Sequence, residues 1–467
     1  MRPFGTRVKY AGCPLVVWVL LLPITACGAW VPEIAGTLPE DYLPSLRPIL
    51  ESARQRSPQA IAAQIEIALS EARVDTADAP RLPSLGATFN LASNQTAVPG
   101  DNRTQTRDTG FFYNVTLNQA LFHWGALKNQ GAIAAINVQI ARKNYDEAYR
   151  LLAVNLRGLF LSLVAKKAAL LQARHALGLG EAGLALEQEK LQRGLAARNQ
   201  VAARELGLRE FRLHVAQLEA DFAGDRQRLA RIAGLDELAD ETVPAEIPKP
   251  GYSAGLAATV VTGLRRDGAK GTIEAQILDL RIQEAARRYE IEKVRLRPKV
   301  FASAGAGLEN ATTATANSVT QQGVTRQTVS VNAQWYLFDG HATRGAKREA
   351  ITTRRLRERQ LAVVTAETIE RAGILERQLA LDAEALEIGE MQRGLAAEAL
   401  GHARRELALG NLPANALNQA ESGLRQREAA VAGARAALLS RWSELVSLAG
   451  LDPVLPSPTS RHARQPG

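Results

Sequence analysis

The sequence predicts an α+β membrane protein built as a tandem duplication, in which each half joins a pair of β-strands to long helices. Two similar stretches carry this prediction, Phe111–Leu117 and Val329–Trp335, where apolar side chains alternate with polar ones. Alternation with a period of two is typical of a strand with two different faces. Val331 follows Val115 by 216 positions, and the same offset recurs later in the chain. The two halves are therefore predicted to be copies of one structural unit.

The beginning of the chain is typical of an exported protein. Residues 1–26 have the basic start and apolar run of a signal peptide. The run ends in Ile24-Thr25-Ala26-Cys27, which resembles a bacterial lipobox and implies cleavage before Cys27 and lipidation of that cysteine. Because Gly28 follows instead of an aspartate, we expect the outer membrane as the destination. The alternative is a plain signal peptide whose cysteine is incidental.

The first repeat is predicted at 58–235, after a proline-rich, extended and lipidated lead-in at 27–57. Its predicted elements are a helix over Pro58–Asp78, a strand over Leu82–Ser93, a polar loop over Asn94–Asp108, the first alternating strand, a helix over about Ala126–Arg193 and a return helix that ends at Gly234. The long helix contains no proline and would measure about 100 Å. Its length and charged residues are typical of a coiled coil.

A linker is predicted at 236–254, the second repeat at 255–452 and a disordered tail at 453–467. The second repeat is predicted to contain a helix over about Leu256–Arg295, a strand from Pro298 through Leu308, a polar loop over Glu309–Gln327, the second alternating strand, a helix from Ala342 to about Leu409 and a return helix that ends at Gly450. Gly410 follows Gly194 by 216 positions, and Gly450 follows Gly234 by the same number. The helices of the two halves are therefore expected to match in length.

Aromatic residues are concentrated in and beside the predicted strands. Aromatic side chains at both ends of alternating strands are the girdle pattern of a transmembrane barrel. The predicted girdle comprises Trp124, Trp335, Tyr336 and Phe338 at the inner interface, Phe111, Phe112 and Tyr113 at the outer one, and Phe122 as a further member.

Four strands are too few to close a barrel alone. An open strand edge in lipid leaves unpaired backbone groups at a cost of several kcal/mol each. Several copies of the chain must therefore share one barrel, and the apolar seams of the helices also need partners. The alternative is an antiparallel β-layer packed under soluble helices.

The remaining residue patterns exclude several other functions. The net charge of +9 includes three basic residues of the leader, and arginine and glutamate interleave along the predicted helices. That interleaving is typical of solvated helix faces and disfavours nucleic-acid binding. The six histidines have no metal-ligand spacing, and neither a phosphate loop nor a nucleophile motif is present. We therefore predict no catalytic residues, no metal and no cofactor.

These features resemble the TolC-like outer membrane factor family over about Pro58–Leu451. The resemblance rests on Leu82-Pro83 and Arg297-Pro298 entering strands, Leu121-Phe122 and Leu337-Phe338 leaving them, the tip glycines, the closing Ala-Gly-Leu sequences and the duplication. It implies a homotrimer whose protomers each give four strands to a twelve-stranded barrel. The barrel would continue into a coiled-coil periplasmic tunnel.

The resemblance also implies where function would be located. The helix-hairpin tips would meet a periplasmic adaptor protein, and the matching positions are Arg193, Gly194 and Leu195 in the first half and Leu409, Gly410 and Asn411 in the second. Relatives can carry carboxylates six and nine positions after the second tip glycine, where this chain has Ala416 and Gln419. We therefore predict an uncharged polar constriction, formed by Asn199, Gln200, Asn415 and Gln419.

The function expected from the sequence is that of a passive exit duct for small molecules in a tripartite efflux pump. Its partners would be two further copies, the adaptor, an inner-membrane transporter of the resistance-nodulation-division or ABC type, and outer membrane lipid. One alternative is a duct for type I protein secretion, which has the same fold and a different partner. Another is a structural coiled-coil lipoprotein that conducts nothing.

Overall fold

The computed structural model describes residues 37–98, 104–314 and 318–454. The predicted lipidation site at Cys27 and most of the predicted tail lie outside these residues. Nine α-helices and four strands fill the described ranges: α1 Pro39–Tyr42, α2 Leu46–Arg56, α3 Pro58–Asp78, β1 Ser84–Val98, β2 Thr104–Phe122, α4 Ala126–Gln192, α5 Arg198–Ala233, α6 Ala254–Arg266, α7 Ile273–Lys293, β3 Lys299–Ala314, β4 Val319–Gln334, α8 Ala342–Ala408 and α9 Ala414–Leu448.

The two halves match closely in their long helices. Helices α4 and α8 each contain 67 residues and begin 216 positions apart. Each is followed by a tight turn and a return helix, α5 or α9. The backbone takes positive φ angles at corresponding glycines, +71° and +76° at Gly194 and Gly410 and +68° and +72° at Gly234 and Gly450. These left-handed positions end the helices because glycine adopts them without a steric penalty.

The prediction of an extended lead-in is wrong for its described part. Leu46, Ile49, Leu50 and Ala53 recur at helical spacing and form the buried face of α2. This face lies in a core that also contains apolar residues of α4, α5 and the linker. Proline did not prevent the helix, because prolines at the start of a helix cost no backbone hydrogen bond.

The predicted single helix over Leu256–Arg295 is also wrong, because the structure divides it into α6 and α7. The break contains Gly268 and Ala269, whose φ angles are +61° and +55°. Gly268 admits the left-handed conformation that ends α6. Ala269 is fully buried and its backbone N–H donates to the Leu264 carbonyl at 3.0 Å, which closes the turn.

The strands extend well into the segments that the sequence predicts as polar loops. Strand β1 continues to Val98, β2 begins at Thr104, and β3 and β4 cover most of Glu309–Gln327. Apolar alternation ends earlier than the backbone pairing, and threonine, which recurs in these segments, favours extended structure. Hydrophobic alternation alone therefore underestimates the length of a strand that continues into a polar segment.

The four strands form one antiparallel sheet in the order β1-β2-β3-β4. The β2–β3 pairing joins the two halves of the chain, with Val115 opposite Ala306 and Leu117 opposite Ala304. Strands β1 and β4 are the edges of this sheet. The helices below follow the same order, since α3 packs against α4, α4 against α7 and α7 against α8.

The core lies midway along the long helices. Leu152, Leu156 and Phe160 of α4 are almost completely buried there, together with Leu229 of α5. The linker is part of this core because Leu238, Val243 and Ile247 are buried in it. Among the described helices, α4 alone has a window apolar and long enough to cross a membrane, and half of that window is buried inside the protein.

Candidate channel-forming surfaces

One face of the sheet is apolar across all four strands. Directly paired residues of an antiparallel sheet lie on the same face, and the register places the apolar series of each strand side by side. The apolar face comprises Leu85, Ala87, Phe89 and Leu91 of β1, Phe111, Tyr113, Val115 and Leu117 of β2, Val300, Ala302, Ala304, Ala306 and Leu308 of β3, and Val329, Val331 and Ala333 of β4. Leu91 and Val329 are 76 % and 87 % exposed in the protomer. So large an apolar surface marks contact with lipid or protein.

The opposite face is polar and carries its own hydrogen bonds. The Ser303 and Ser330 hydroxyls lie 2.7 Å apart, and the Asn332 carboxamide donates to Ser303 at 3.3 Å. On the neighbouring strand the Asn114 carboxamide donates to the Thr116 hydroxyl at 3.1 Å. The sheet thus separates an apolar from a hydrophilic side.

Phe112 departs from the predicted outer girdle. It pairs with Asn90 and therefore lies on the polar face, opposite to Phe111 and Tyr113. Its ring covers Gly110, where a Cβ atom would lie 2.8 Å from the Phe112 ring. The strand period of two makes it impossible for three consecutive aromatic side chains to share one face.

The first strand-to-helix junction is held by Trp124. Its indole N–H donates to the Pro298 carbonyl at 2.7 Å, and the Arg297 guanidinium lies 4.8 Å from its ring centroid. The Phe122 ring packs edge-on against it at 4.7 Å. Trp124 thereby ties the end of β2 to the entry of β3, and it takes a φ of +53° to do so.

The second junction exposes its aromatic residues. Trp335, Tyr336 and Phe338 are 62 %, 54 % and 72 % exposed and lie between the end of β4 and the start of α8. The Asp339 carboxylate accepts from the Thr343 backbone N–H at 2.8 Å and from its hydroxyl at 2.5 Å. These bonds satisfy the first turn of α8. The membrane role of these aromatic residues stays a prediction.

The two hairpin tips have the same backbone design. At the first, the Leu195 N–H donates to the Lys190 carbonyl at 2.8 Å, and at the second the Asn411 N–H donates to the Glu406 carbonyl at 2.9 Å. These bonds close Schellman turns around the positive-φ glycines. Leu195 is 75 % exposed at its tip and Leu409 is 71 % exposed at the other. Docking of a partner at these leucines stays a prediction.

The predicted constriction residues lie just after the tips. Asn199, Gln200, Asn415 and Gln419 are all exposed in the protomer. Gln200 has a structural contact that the sequence did not predict, because its carboxamide oxygen accepts the Ala197 N–H at 3.1 Å and caps α5. That these four side chains face a lumen stays a prediction.

The return helix α5 buries only part of its apolar seam. Leu208, Val215, Phe222 and Leu229, seven residues apart, are buried. Phe211, between them, is 49 % exposed. The protomer alone therefore leaves part of this coiled-coil seam without a partner helix.

The structure contains a buried ionic cluster that was not predicted from the sequence. Arg157 of α4 is fully buried, and its guanidinium donates to both carboxylate oxygens of Glu40 and of Asp452, with its Nε 2.9 Å from Glu40 Oε2. Burial disfavours the cation, but the Asp452 and Glu40 carboxylates outweigh burial, so the pKa of Arg157 lies above its ordinary value. An arginine within the apolar run Leu151–Val164 was the available signal.

Within the described ranges, no group of His, Cys, Asp or Glu side chains could hold a metal ion. The fold contains a sheet with one apolar face, one polar face and two unpaired edge strands, together with two helical hairpins of nearly equal length.

One protein family matches part of the chain. Residues 49–235, from within α2 to the end of the first return helix, match the outer membrane efflux protein family. No curated protein matches the chain significantly. The resemblance to TolC-like outer membrane factors stated from the sequence is confirmed. The family consists of outer membrane channels and not of enzymes.

Solved structures share the fold over almost the whole chain. The outer membrane protein VceC from Vibrio cholerae is 15 % identical, with a TM-score of 0.62 over 88 % of this chain and 98 % of its own. The CmeC outer membrane channel of Campylobacter jejuni is 10 % identical, with a TM-score of 0.71 over 98 % and 96 %. The MtrE outer membrane channel of Neisseria gonorrhoeae, solved in its open state, is 15 % identical, with a TM-score of 0.63 over 89 % and 91 %.

Proposed function

We propose that this protein is the passive outer membrane exit duct of a tripartite efflux pump, formed by three copies of the chain. The observation that carries the proposal is the single four-stranded sheet with one apolar face and two unpaired edges. In lipid, the unpaired backbone groups of such edges are too costly to persist. Pairing the edges of successive copies removes them, and three copies would give twelve strands.

The direction of the edge strands supports this closure. Each strand runs antiparallel to its neighbour, so β1 and β4 run in opposite directions. Strand β4 of one copy and β1 of the next can therefore continue the same antiparallel ladder. The apolar face would then contact lipid, and the polar face of Asn114, Thr116 and Ser303 would line the lumen.

The helices under the edge strands support the same assembly. On α3, Ile61, Ile65 and Leu69 form a stripe with a spacing of four residues, and Ile65 is 63 % exposed. On α8, Leu356 and Val363 are 53 % and 55 % exposed. Each edge helix thus has apolar residues that its own protomer does not cover. Packing α8 of one copy against α3 of the next would bury them and close the helical tunnel.

We assign the duct to small-molecule efflux because the lipobox at Cys27 resembles that of drug-efflux members of the family. Lipidation at Cys27, an adaptor at the tips and an inner-membrane transporter that supplies energy all belong to this proposal. A type I secretion duct has the same fold and is distinguished by its inner-membrane partner. A non-conducting lipoprotein scaffold would have no use for an apolar sheet face.

The decisive experiment joins conductance to subunit geometry. The purified mature protein is reconstituted in planar bilayers, and Thr88→Cys in β1 is combined with Thr328→Cys in β4 for cross-linking by a short bismaleimide. We expect discrete current steps. The double-cysteine variant should give covalent species of up to three chains, whereas each single-cysteine variant should give no covalent species larger than two chains. The proposed duct would be rejected if neither the full protein nor a form without its tips gave current, and if the cysteine pair yielded no cross-linked trimer.

The tips are tested separately from the pore. We expect Leu195→Asp combined with Leu409→Asp to abolish drug resistance in cells while single-channel conductance stays unchanged. The control is Leu186→Asp, since Leu186 is also exposed on α4 but lies two turns before the tip. Equal loss of resistance in the control would refute adaptor docking at the tips.

A further inference from the structure

The second strand-to-helix junction contains a cavity of about 520 Å³ with two chemically different walls. One wall is apolar and consists of Leu296, Leu337, Phe338 and Ile351. Leu337 is 76 % exposed, so the protomer leaves this wall uncovered. The other wall lies on the first four turns of α8 and is basic.

The basic wall carries four cations from one helix. Arg344, Lys347, Arg348 and Arg355 line the cavity. None of them forms an ion pair or side-chain hydrogen bond with another residue in the described part of the chain. Their neighbour Arg354, by contrast, pairs with Glu358 at 2.9 Å. Four cations gathered without counter-charges favour an anionic ligand.

The other polar groups of the cavity leave this charge in excess. His341 also lines it, and so does the Asp339 carboxylate. Asp339 already accepts two hydrogen bonds from Thr343 at the start of α8. One engaged carboxylate facing four cations leaves a clear positive surplus.

The first repeat lacks this arrangement although it shares the fold. Positions 216 residues before the four cations hold Lys128, Gly131, Ala132 and Gln139. The apolar pair is kept, since Leu121-Phe122 corresponds to Leu337-Phe338. Three of the four cations are thus specific to the second repeat. The turn itself forms without them, so its geometry does not account for them.

We infer that this cavity binds an anionic phospholipid of the inner leaflet, with the phosphate on the basic wall and the start of an acyl chain on the apolar wall. The inference rests on the proposed function, which places the junction at the periplasmic membrane surface. Basic pockets next to a membrane recognise anionic headgroups by this combination of charge and apolar contact. A soluble anion would use the cations and leave Leu337 and Phe338 exposed, which is why the lipid is preferred.

The experiment is native mass spectrometry of the purified full-length protein, released from detergent after titration with phosphatidylglycerol or phosphatidylcholine. We expect retention of phosphatidylglycerol and not of phosphatidylcholine. Arg348→Gln combined with Arg355→Gln should weaken phosphatidylglycerol binding about thirty-fold, because each cation near an anionic headgroup contributes about a fivefold factor. The matched control is Arg198→Gln combined with Arg404→Gln, which removes two exposed cations near the tips; Arg404 lies about 80 Å away along α8.

Each other outcome overturns the inference. Equal losses in the cavity variant and its control would show a general charge effect, and equal retention of both lipids would show no headgroup recognition. Displacement by millimolar inorganic phosphate would identify a free-anion site. Dissociation of the cavity variant into monomers would identify a subunit interface. A second variant, Arg344→Gln combined with Lys347→Gln, repeats the measurement if the first fails to fold.

Failure of the lipid site is separable from failure of the duct. Conductance is recorded in bilayers of neutral lipid, in which the cavity variant should form channels with unchanged current. A wild-type protein that conducts but does not distinguish the two lipids would refute the lipid site alone. A wild-type protein that neither conducts nor forms trimers would refute the proposed function itself.

Discussion

At the scale of single residues, the chain combines a few buried polar groups with a mostly apolar core. Arg157 is the extreme case, because its charge is fully buried and fully paired. Breaking such a cluster is costly, since the remaining partners keep their charge without solvent or counter-ion. Glu40 and Asp452 lie near opposite ends of the described chain, so one arginine fixes both ends to α4.

Replacing Arg157 by methionine should lower the free energy of unfolding by about 3–5 kcal/mol, because Glu40 and Asp452 would stay buried without a cation. Denaturant unfolding in detergent, followed by circular dichroism, measures the loss. The control adds Glu40→Gln and Asp452→Asn to the same variant, and it should recover part of the stability. If the triple variant is as unstable as the single one, lost packing and not lost pairing is the cause.

Tyr149 should make stability depend on pH in the alkaline range. Burial raises its pKa from 10 to about 12, although the nearby Arg54 charge opposes the rise. The unfolded chain releases the proton near pH 10 and the folded chain only near 12. The free energy of unfolding should therefore fall as pH rises from 10 to 12, by about 2 kcal/mol.

The Tyr149→Phe variant tests this pH dependence. It removes the titrating hydroxyl, together with its hydrogen bond to the Leu50 carbonyl at 3.2 Å, and should flatten the alkaline decline. Tyr145→Phe is the control and should keep the decline. An unchanged slope in Tyr149→Phe would assign the decline to other groups.

The uncharged constriction proposed after the tips also predicts a single-residue effect. Asn415→Asp would place a carboxylate in each of three protomers, and a ring of carboxylates favours cations in a narrow pore. The reversal potential in a salt gradient should move toward the cation equilibrium potential. The control is Glu421→Gln, further along α9, which should change ion selectivity less than Asn415→Asp does. No shift in Asn415→Asp would remove Asn415 from the pore.

At the scale of elements, regular periodicity was predictable and its interruptions were not. Helix α3 was predicted with the bounds that the structure has, Pro58–Asp78. Its proline start and the break before Pro80 are local signals that do not depend on tertiary contacts. The break at Gly268 was missed although Asp267-Gly268 is a turn signal, and Ala269, which also takes a positive φ, gives no signal of its own.

Gly234→Ala should be more damaging than the same change at other glycines. A Cβ there would lie 2.5 Å from the Arg56 carbonyl oxygen, in addition to the strain of a φ of +68°. We expect a loss of about 2–4 kcal/mol in stability. At Gly410 the φ is +76° but no atom lies within 4 Å of the added Cβ, so about 1 kcal/mol is expected.

The control for both glycines is Gly224→Ala. Gly224 lies inside α5 with open space around it, so alanine should stabilise the helix by about 0.5–1 kcal/mol. Thermal unfolding of the three variants should therefore rank Gly224→Ala first and Gly234→Ala last. Equal melting temperatures for Gly234→Ala and Gly410→Ala would show that contact with Arg56 is unimportant.

At the scale of the whole molecule, the sequence predicted the two-faced strands but not their assembly into one sheet. The β2–β3 pairing joins residues nearly 200 positions apart, and no local pattern specifies such a partner. The family resemblance supplied what periodicity lacked. The candidate surfaces also differ in how far they could be predicted. The tip glycines could be identified in the sequence, whereas the cavity under β4 could not.

Placing a charge on either face of β4 should have opposite consequences. Val329→Lys puts an ammonium on the apolar face and should destabilise the membrane-inserted state by about 2–4 kcal/mol near mid-membrane. Thr328→Lys puts the same charge on the polar face and should assemble normally with altered ion selectivity. The yield of trimer in outer membrane fractions measures both variants. Normal assembly of Val329→Lys would show that this face does not contact lipid.

The ionic cluster around Arg157 also bears on how the chain matures. Glu40 leaves the ribosome before Arg157, and Asp452 follows only after both repeats have been synthesised. In a chain cut short before Asp452, Glu40 would balance the charge of Arg157, but the guanidinium would lack its hydrogen bonds to the second carboxylate. The buried cluster is therefore completed only after the second repeat has been made. Prematurely terminated chains would stay poorly folded and accessible to proteases before they could join an assembly.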